Sequence, residues 1–92
     1  MAEATAVTEV TLRLYASAKA ASGVAEWTAG FDRHGTATIE AALATLPSMP
    51  GASLDRVLAR CSFLVNAQST TDRQTPLSDG DLVDVLPPFA GG

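Results

Sequence analysis

Pro76-Leu77-Ser78-Asp79-Gly80-Asp81-Leu82-Val83-Asp84-Val85-Leu86-Pro87-Pro88-Phe89-Ala90-Gly91-Gly92 is the stretch on which the fold turns. Leu77 to Asp81 reads as a turn in which Gly80 can take a positive φ without steric cost. Leu82 to Leu86 is then a strand. Pro87 carries no amide hydrogen, and Pro87 with Pro88 stiffens the exit from that strand toward an extended conformation. Gly91 and Gly92 lack a Cβ and can pass close to a partner's walls where any side chain would clash. Six extended residues, 87–92, reach at most roughly 20 Å. That is enough to carry the α-carboxylate of Gly92 into another protein's active site. A frayed end is the competing reading, and the abutting strand and Pro-Pro stop weigh against it.

Upstream, Val10, Leu12 and Leu14 alternate with Thr11, Arg13 and Tyr15, the period of a half-buried strand, which predicts a first strand over 7–16. Ser17 to Ser22 reads as a short helical turn ended by Gly23. Val24 to Thr28 follows as a second strand, and Gly30 to Gly35 as a loop. Thr38 is placed to cap a helix whose Ile39, Ala42, Leu43 and Leu46 recur on one face, with Glu40 in the first turn and Pro47 and Pro50 as stops. A second short helix from Ser53 would bury Leu54, Val57, Leu58 and Cys61. Phe63 to Val65 suits a strand buried on both faces, Asn66 to Ser69 a turn, and Thr70 to Arg73 a further short strand. Strands with segregated helices make an α+β arrangement.

The chain has 92 residues, 47% of them hydrophobic but few aromatic, which fits one globular domain over residues 1–92 with an aliphatic core. Six basic against 10 acidic residues give a net charge of −4, so no positive field exists to hold a nucleic acid. Asp72, Asp79, Asp81 and Asp84 against Arg73 make the stretch before the tail acidic, which points to a basic partner there or to a solvated acidic loop. Cys61 is the single cysteine, expected to be a buried apolar residue. Its pairing with the single histidine, His34, as a nucleophile and base is disfavoured because His34 falls in the loop. Residues 1–7 have no basic region followed by an apolar run, and no stretch approaches the roughly 20 apolar residues of a membrane span. A cytoplasmic, membrane-free protein is the expectation.

The segments Leu12-Arg13-Leu14-Tyr15-Ala16, Ala18-Lys19-Ala20-Ala21-Ser22-Gly23, Thr38-Ile39-Glu40-Ala41-Ala42-Leu43, Leu64-Val65-Asn66 and Pro76 to Gly92 together resemble the ubiquitin-like β-grasp sulfur carriers. Among these they are most similar to the small subunits of molybdopterin synthases. The resemblance implies a mixed sheet of four to five strands packed on one main helix, with the first and last strands parallel and central. A flexible tail, residues 87–92, would project from it. It implies no bound cofactor. An E1-like adenylating enzyme would use ATP to activate the Gly92 carboxylate, and a persulfide donor would then convert it to a thiocarboxylate. Pro87, Pro88, Phe89, Ala90 and Gly91 would thread the tail into the large subunit of a two-large, two-small heterotetramer, where Gly92 delivers sulfur to a pterin precursor.

By position in the matching motifs, Tyr15, Leu86 and Lys19 correspond to places where the family meets its partners. The plain alternatives are sheet packing for Tyr15 and Leu86 and an ordinary surface role for Lys19. Phe89 stands where a smaller apolar residue is common. Neither a metal-ligand cluster nor an acid and base pair occurs in a plausible constellation, so the chain is expected to be a cosubstrate and subunit without catalysis of its own. Two further readings stay open: delivery of sulfur to thiamine or cysteine synthesis, and a ubiquitin-like modifier joined to target lysines through Gly92.

Overall fold

The computed structural model describes residues 7–32 and 36–88. Eight elements follow one another in that span: β1 (Val7–Leu14), α1 (Ala16–Ser22), β2 (Glu26–Asp32), α2 (Ile39–Leu43), α3 (Leu54–Ala59), β3 (Ser62–Val65), β4 (Gln68–Thr70) and β5 (Leu82–Leu86). They build one mixed sheet in the order β2-β1-β5-β3-β4. β1 and β5 are the parallel pair, with Leu14 opposite Val85, and every other pairing is antiparallel. The α+β class and the β-grasp arrangement, with the first and last strands adjacent at the centre, are as expected.

Alternation decides which face of the sheet is dry. Val10, Leu12 and Leu14 from β1 and Val83 and Val85 from β5 are buried, and they meet Ala18, Ile39, Ala42, Leu43 and Leu58 from the helices. Phe63 from β3 is the largest fully buried side chain, in a core otherwise aliphatic. Burying a Leu, Val or Ile side chain contributes about 1.5–3 kcal/mol, so this one layer of contact holds the two halves of the chain together. The helical layer is divided among α1, α2 and α3, of seven, five and six residues, rather than concentrated in one main helix.

The reason α2 stops early is local. Thr38 caps it as expected, its Oγ1 accepting from the Ala41 amide at 3.1 Å. Seven residues on, the Thr45 hydroxyl donates to the Ala42 carbonyl at 2.7 Å and accepts from Trp27 Nε1 at 3.1 Å. A β-branched hydroxyl that takes a helical carbonyl competes with the backbone ladder, and the last turn tightens to three-residue spacing, with the Thr45 and Leu46 amides bonding Ala42 and Leu43. The helix ends at Leu43, short of Leu46 and the prolines that were its expected stop.

Two strands are displaced from their expected positions. β2 covers Glu26–Asp32 instead of 24–28, because Gly23 takes φ 82° to close α1 and residues 23–25 serve the reversal. Gly30 and Phe31, expected in a loop, pair with Glu9 and Thr8 on this edge strand. β4 begins at Gln68 because the β3–β4 connection is only two residues long, Asn66 and Ala67, at φ 49° and 75°. That is the type I′ geometry that suits the twist of a hairpin. β3 itself is buried on one face only: Phe63 points inward, and Leu64 and Val65 are half-buried.

Ala67 is exposed, so its methyl group contributes no core packing, yet it occupies the left-handed region where a Cβ costs about 1–2 kcal/mol. Ala67→Gly is expected to raise stability by about 1 kcal/mol, read as a higher urea midpoint at unchanged slope. An unchanged or lowered midpoint contradicts the turn assignment.

Candidate functional site

Parallel strands end at the same edge of a sheet. β1 therefore delivers Tyr15, and β5 delivers Leu86, to one edge, and Ser62 at the start of antiparallel β3 lies opposite Leu86. α1 starts there with Ala16, which takes φ 49° to turn the chain off β1. A groove opens at this edge between α3 and the ends of the strands, lined by Tyr15, Ala16, Val57, Leu86, Pro87 and Pro88, with Arg56 and Arg60 on its α3 side. The chain leaves the globule along this groove. Neither proline can donate to a neighbouring strand, so the β5 ladder stops at Leu86 while the backbone runs on.

The structure brings together four of the expected site residues, Tyr15, Leu86, Pro87 and Pro88. Lys19 is exposed on α1, one helical turn beyond Tyr15 and Ala16, and outside the groove lining. Phe89, Ala90, Gly91 and Gly92 lie outside the described residues. Val57 was expected to be buried with Leu54, Leu58 and Cys61; those three are buried, but Val57 is half-buried and lines the groove. Arg56, Val57 and Arg60 are the groove residues that sequence reasoning missed. The apolar stripe of α3 was read as facing only the core, and the Arg56–Arg60 spacing of four on its flank was the signal available.

Tyr15 is held rather than loose. Its hydroxyl donates to Asp84 Oδ1 at 3.1 Å, and the same oxygen accepts from Arg13 Nε at 2.9 Å. Arg13 and Asp84 are register partners across the parallel pair. The Asp84 side chain is only 12% exposed, beneath an Arg13 that is 45% exposed. A surface pair of this kind is screened by solvent and adds little to stability, so its role is to fix the tyrosine ring at the rim of the groove.

The acidic stretch before the tail has a structural use. Asp79 Oδ1 accepts from the Glu9 amide at 2.8 Å, and Asp81 accepts from Asn66 Nδ2 at 2.9 Å and from the Ser78 amide at 2.8 Å. Asp72 accepts from the Gln74 amide at 2.9 Å. These carboxylates cap turns, and Asp79 and Asp81 sit at the start of β5, about 13 Å from its exit at 3.3 Å per residue. Of the two readings of this stretch, a basic partner or a solvated acidic loop, these bonds favour the second: the turn acids at the start of β5 are used within the fold, and Arg56 and Arg60 stand at its exit.

Cys61 is buried, its Sγ donates to the Val57 carbonyl at 3.3 Å, and burial pushes its thiol up, away from the thiolate a nucleophile needs. His34 lies outside the described residues. Among the described residues no group of His, Cys, Asp or Glu is placed to hold a metal ion, and no helix is long and apolar enough to cross a membrane.

Burial raises the Tyr15 phenol above its ordinary value, and the hydrogen bond to the Asp84 carboxylate and its charge act in the same direction. A pKa raised by folding means that the contribution of Tyr15 to stability is complete below the ordinary tyrosine range and is lost as pH rises through the folded value. In Asp84→Asn the ultraviolet titration midpoint of the phenol is expected to fall toward about 10. A midpoint equal to that of the unsubstituted chain contradicts the assigned bond.

The model of the ThiS family matches residues 12–92, which is most of the chain. No curated protein matches it in sequence. Among solved structures, the crystal structure of small archaeal modifier protein 1 (SAMP1) from Haloferax volcanii superposes with a TM-score of 0.67 at 22% identity, covering 91% of this chain and 99% of that one. The solution structure of SAMP1 from Methanosarcina acetivorans gives 0.68 at 21% identity, covering 94% and 98%. A Pyrococcus furiosus protein described as a molybdopterin converting factor, subunit 1, gives 0.61 at 16% identity, covering 89% and 99%. At these identities the structures establish the shared fold. With β1 and β5 parallel at the centre, a chain leaving the sheet through Pro87-Pro88 and the family match over 12–92, this protein belongs to the ThiS family of ubiquitin-like sulfur carriers.

Proposed function

We propose that this chain carries sulfur as a thiocarboxylate on Gly92 and delivers it for molybdenum cofactor synthesis, as the small subunit of a molybdopterin synthase. The observation that carries the reading is the exit of β5 through Pro87-Pro88 beside an open groove, with four further residues ending in Gly91-Gly92.

The chemistry follows from what a carboxylate lacks. It is a poor electrophile until one oxygen becomes a leaving group. An E1-like enzyme provides this when a Gly92 oxygen attacks the α-phosphorus of ATP and pyrophosphate departs. The terminal sulfur of a donor persulfide then displaces AMP at the Gly92 carbonyl, giving an acyl disulfide. A thiol reductant cleaves its S–S bond and leaves the thiocarboxylate on Gly92. That group is a soft nucleophile, ionised at neutral pH, at the end of an arm without bulky side chains at its last two positions. The large subunit then binds the arm and takes the sulfur into a pterin precursor. Because a dithiolene needs two sulfurs and one tail carries one, charged carriers act in succession or in pairs, as a two-large, two-small heterotetramer allows.

Tyr15 and Leu86 serve this function as the apolar rim against which the partners seat, with Lys19 beside them. The family match equally supports a thiazole or activated-serine acceptor, and the acceptor is decided by which large partner drives sulfur release. Incubation with the adenylating enzyme, ATP and a persulfide donor is expected to add one oxygen-to-sulfur exchange to the terminal peptide. Deleting Gly92 is expected to abolish that exchange while leaving the melting temperature nearly unchanged, because the core is built from residues 10–85. An exchange that persists without Gly92 contradicts the proposal.

A further inference from the structure

The described basic residues divide into two groups. Arg13 pairs with Asp84 and Arg73 with Glu40, so both are neutralised within the chain. Lys19, Arg56 and Arg60 have no ion-pair partner among the described residues: Lys19 stands in the last turn of α1, outside the groove, whereas Arg56 on α3 and Arg60 at its C-cap stand where β5 gives way to Pro87. Arg56 and Arg60 are exposed, four apart on one face of α3, and both line the groove beside Leu86 and Pro87. A chain of net charge −4 thus presents two described cations without an ion-pair partner, Arg56 and Arg60, beside the exit of the tail.

We propose that Arg56 and Arg60 dock a pair of carboxylates on the enzyme that adenylates Gly92, with Val57, Leu86 and the Tyr15 ring as the apolar floor between them. This rests on the carrier reading above. A guanidinium fork matches a carboxylate bidentately, which gives direction as well as attraction. Among the acids, Asp79 and Asp81 are engaged in capping at the start of β5, about 13 Å by strand rise from its exit, beyond the Debye length of about 8 Å at physiological salt. Asp55, exposed beside Arg56 in the first turn of α3, pairs with neither arginine and offsets at most one of the two charges. A polyanionic occupant is disfavoured, since two arginines neutralise too few phosphates to overcome the net charge of the chain. An acidic protein surface, read at contact distance, is the occupant the charge pattern fits.

The test uses the intact chain as substrate of its adenylating enzyme, with carrier-dependent ATP–pyrophosphate exchange as the readout. R56E/R60E is expected to raise the KM for the carrier about 10- to 100-fold while kcat at saturation stays within about twofold, since the substitutions lie outside the reacting tail. R56Q/R60Q keeps the apolar stems and is expected to lose the salt dependence that the unsubstituted chain's KM displays. An unchanged urea midpoint in both variants places the effect in docking. A KM for R56E/R60E within twofold of the unsubstituted chain, or an undiminished salt dependence in R56Q/R60Q, overturns the inference and leaves the carrier reading standing. An unsubstituted chain that is no substrate at all overturns both.

Discussion

The parallel pairing of β1 with β5 is the constraint on which the rest depends. These strands come from opposite ends of the sequence, and Thr11 to Leu14 pair with Leu82 to Val85. Antiparallel neighbours would have sent Tyr15 and Leu86 to opposite edges. Parallel ones send both to a single edge, so the start of α1, the groove and the chain's exit share one place. The same pairing buries Leu12, Leu14, Val83 and Val85 side by side, which makes the centre of the sheet the most costly part to open and its exit edge a fixed platform.

Charge is sorted along that axis. At the start of β5, Asp79 and Asp81 stitch the turn to β1 and to Asn66. Midway along it, Asp84 gathers Arg13 and Tyr15. At its end stand Arg56 and Arg60 with no counterpart in the described chain. Acids thus serve the fold where the backbone needs acceptors, while two of the described cations are left without an ion-pair partner at the exit edge. The body has no catalytic constellation to offer among its described residues; what it offers is direction, through two prolines that the sheet cannot pair.

How much of this was legible depended on whether a single residue type carried the instruction. β5 was read with its observed bounds because a positive-φ glycine and a Pro-Pro pair bracket it, and Thr38 and Gly23 announced a cap and a stop. The β3–β4 turn was misplaced because Ala67 occupies a conformation usually marked by glycine. β2 was cut short because Gly30 looks like a loop residue, although an edge strand paired on one side tolerates it. α2 ended early through a side-chain bond from Thr45, which no local pattern announces. The groove was the least legible part, since an apolar position such as Val57 looks alike whether it faces a core or a docking partner. Only the assembled sheet separates the two.

The account's central claim is that the folded body aims a carboxylate which other proteins load with sulfur. The most direct measurement is the intact mass of the chain isolated from cells in which its partners are present, with fragmentation of the terminal peptide. The account predicts a population heavier by one oxygen-to-sulfur exchange, localised to Gly92 and lost on treatment with an alkylating agent that caps the sulfur. A chain recovered only as the free carboxylate or as an amide joined to lysines of other proteins contradicts it.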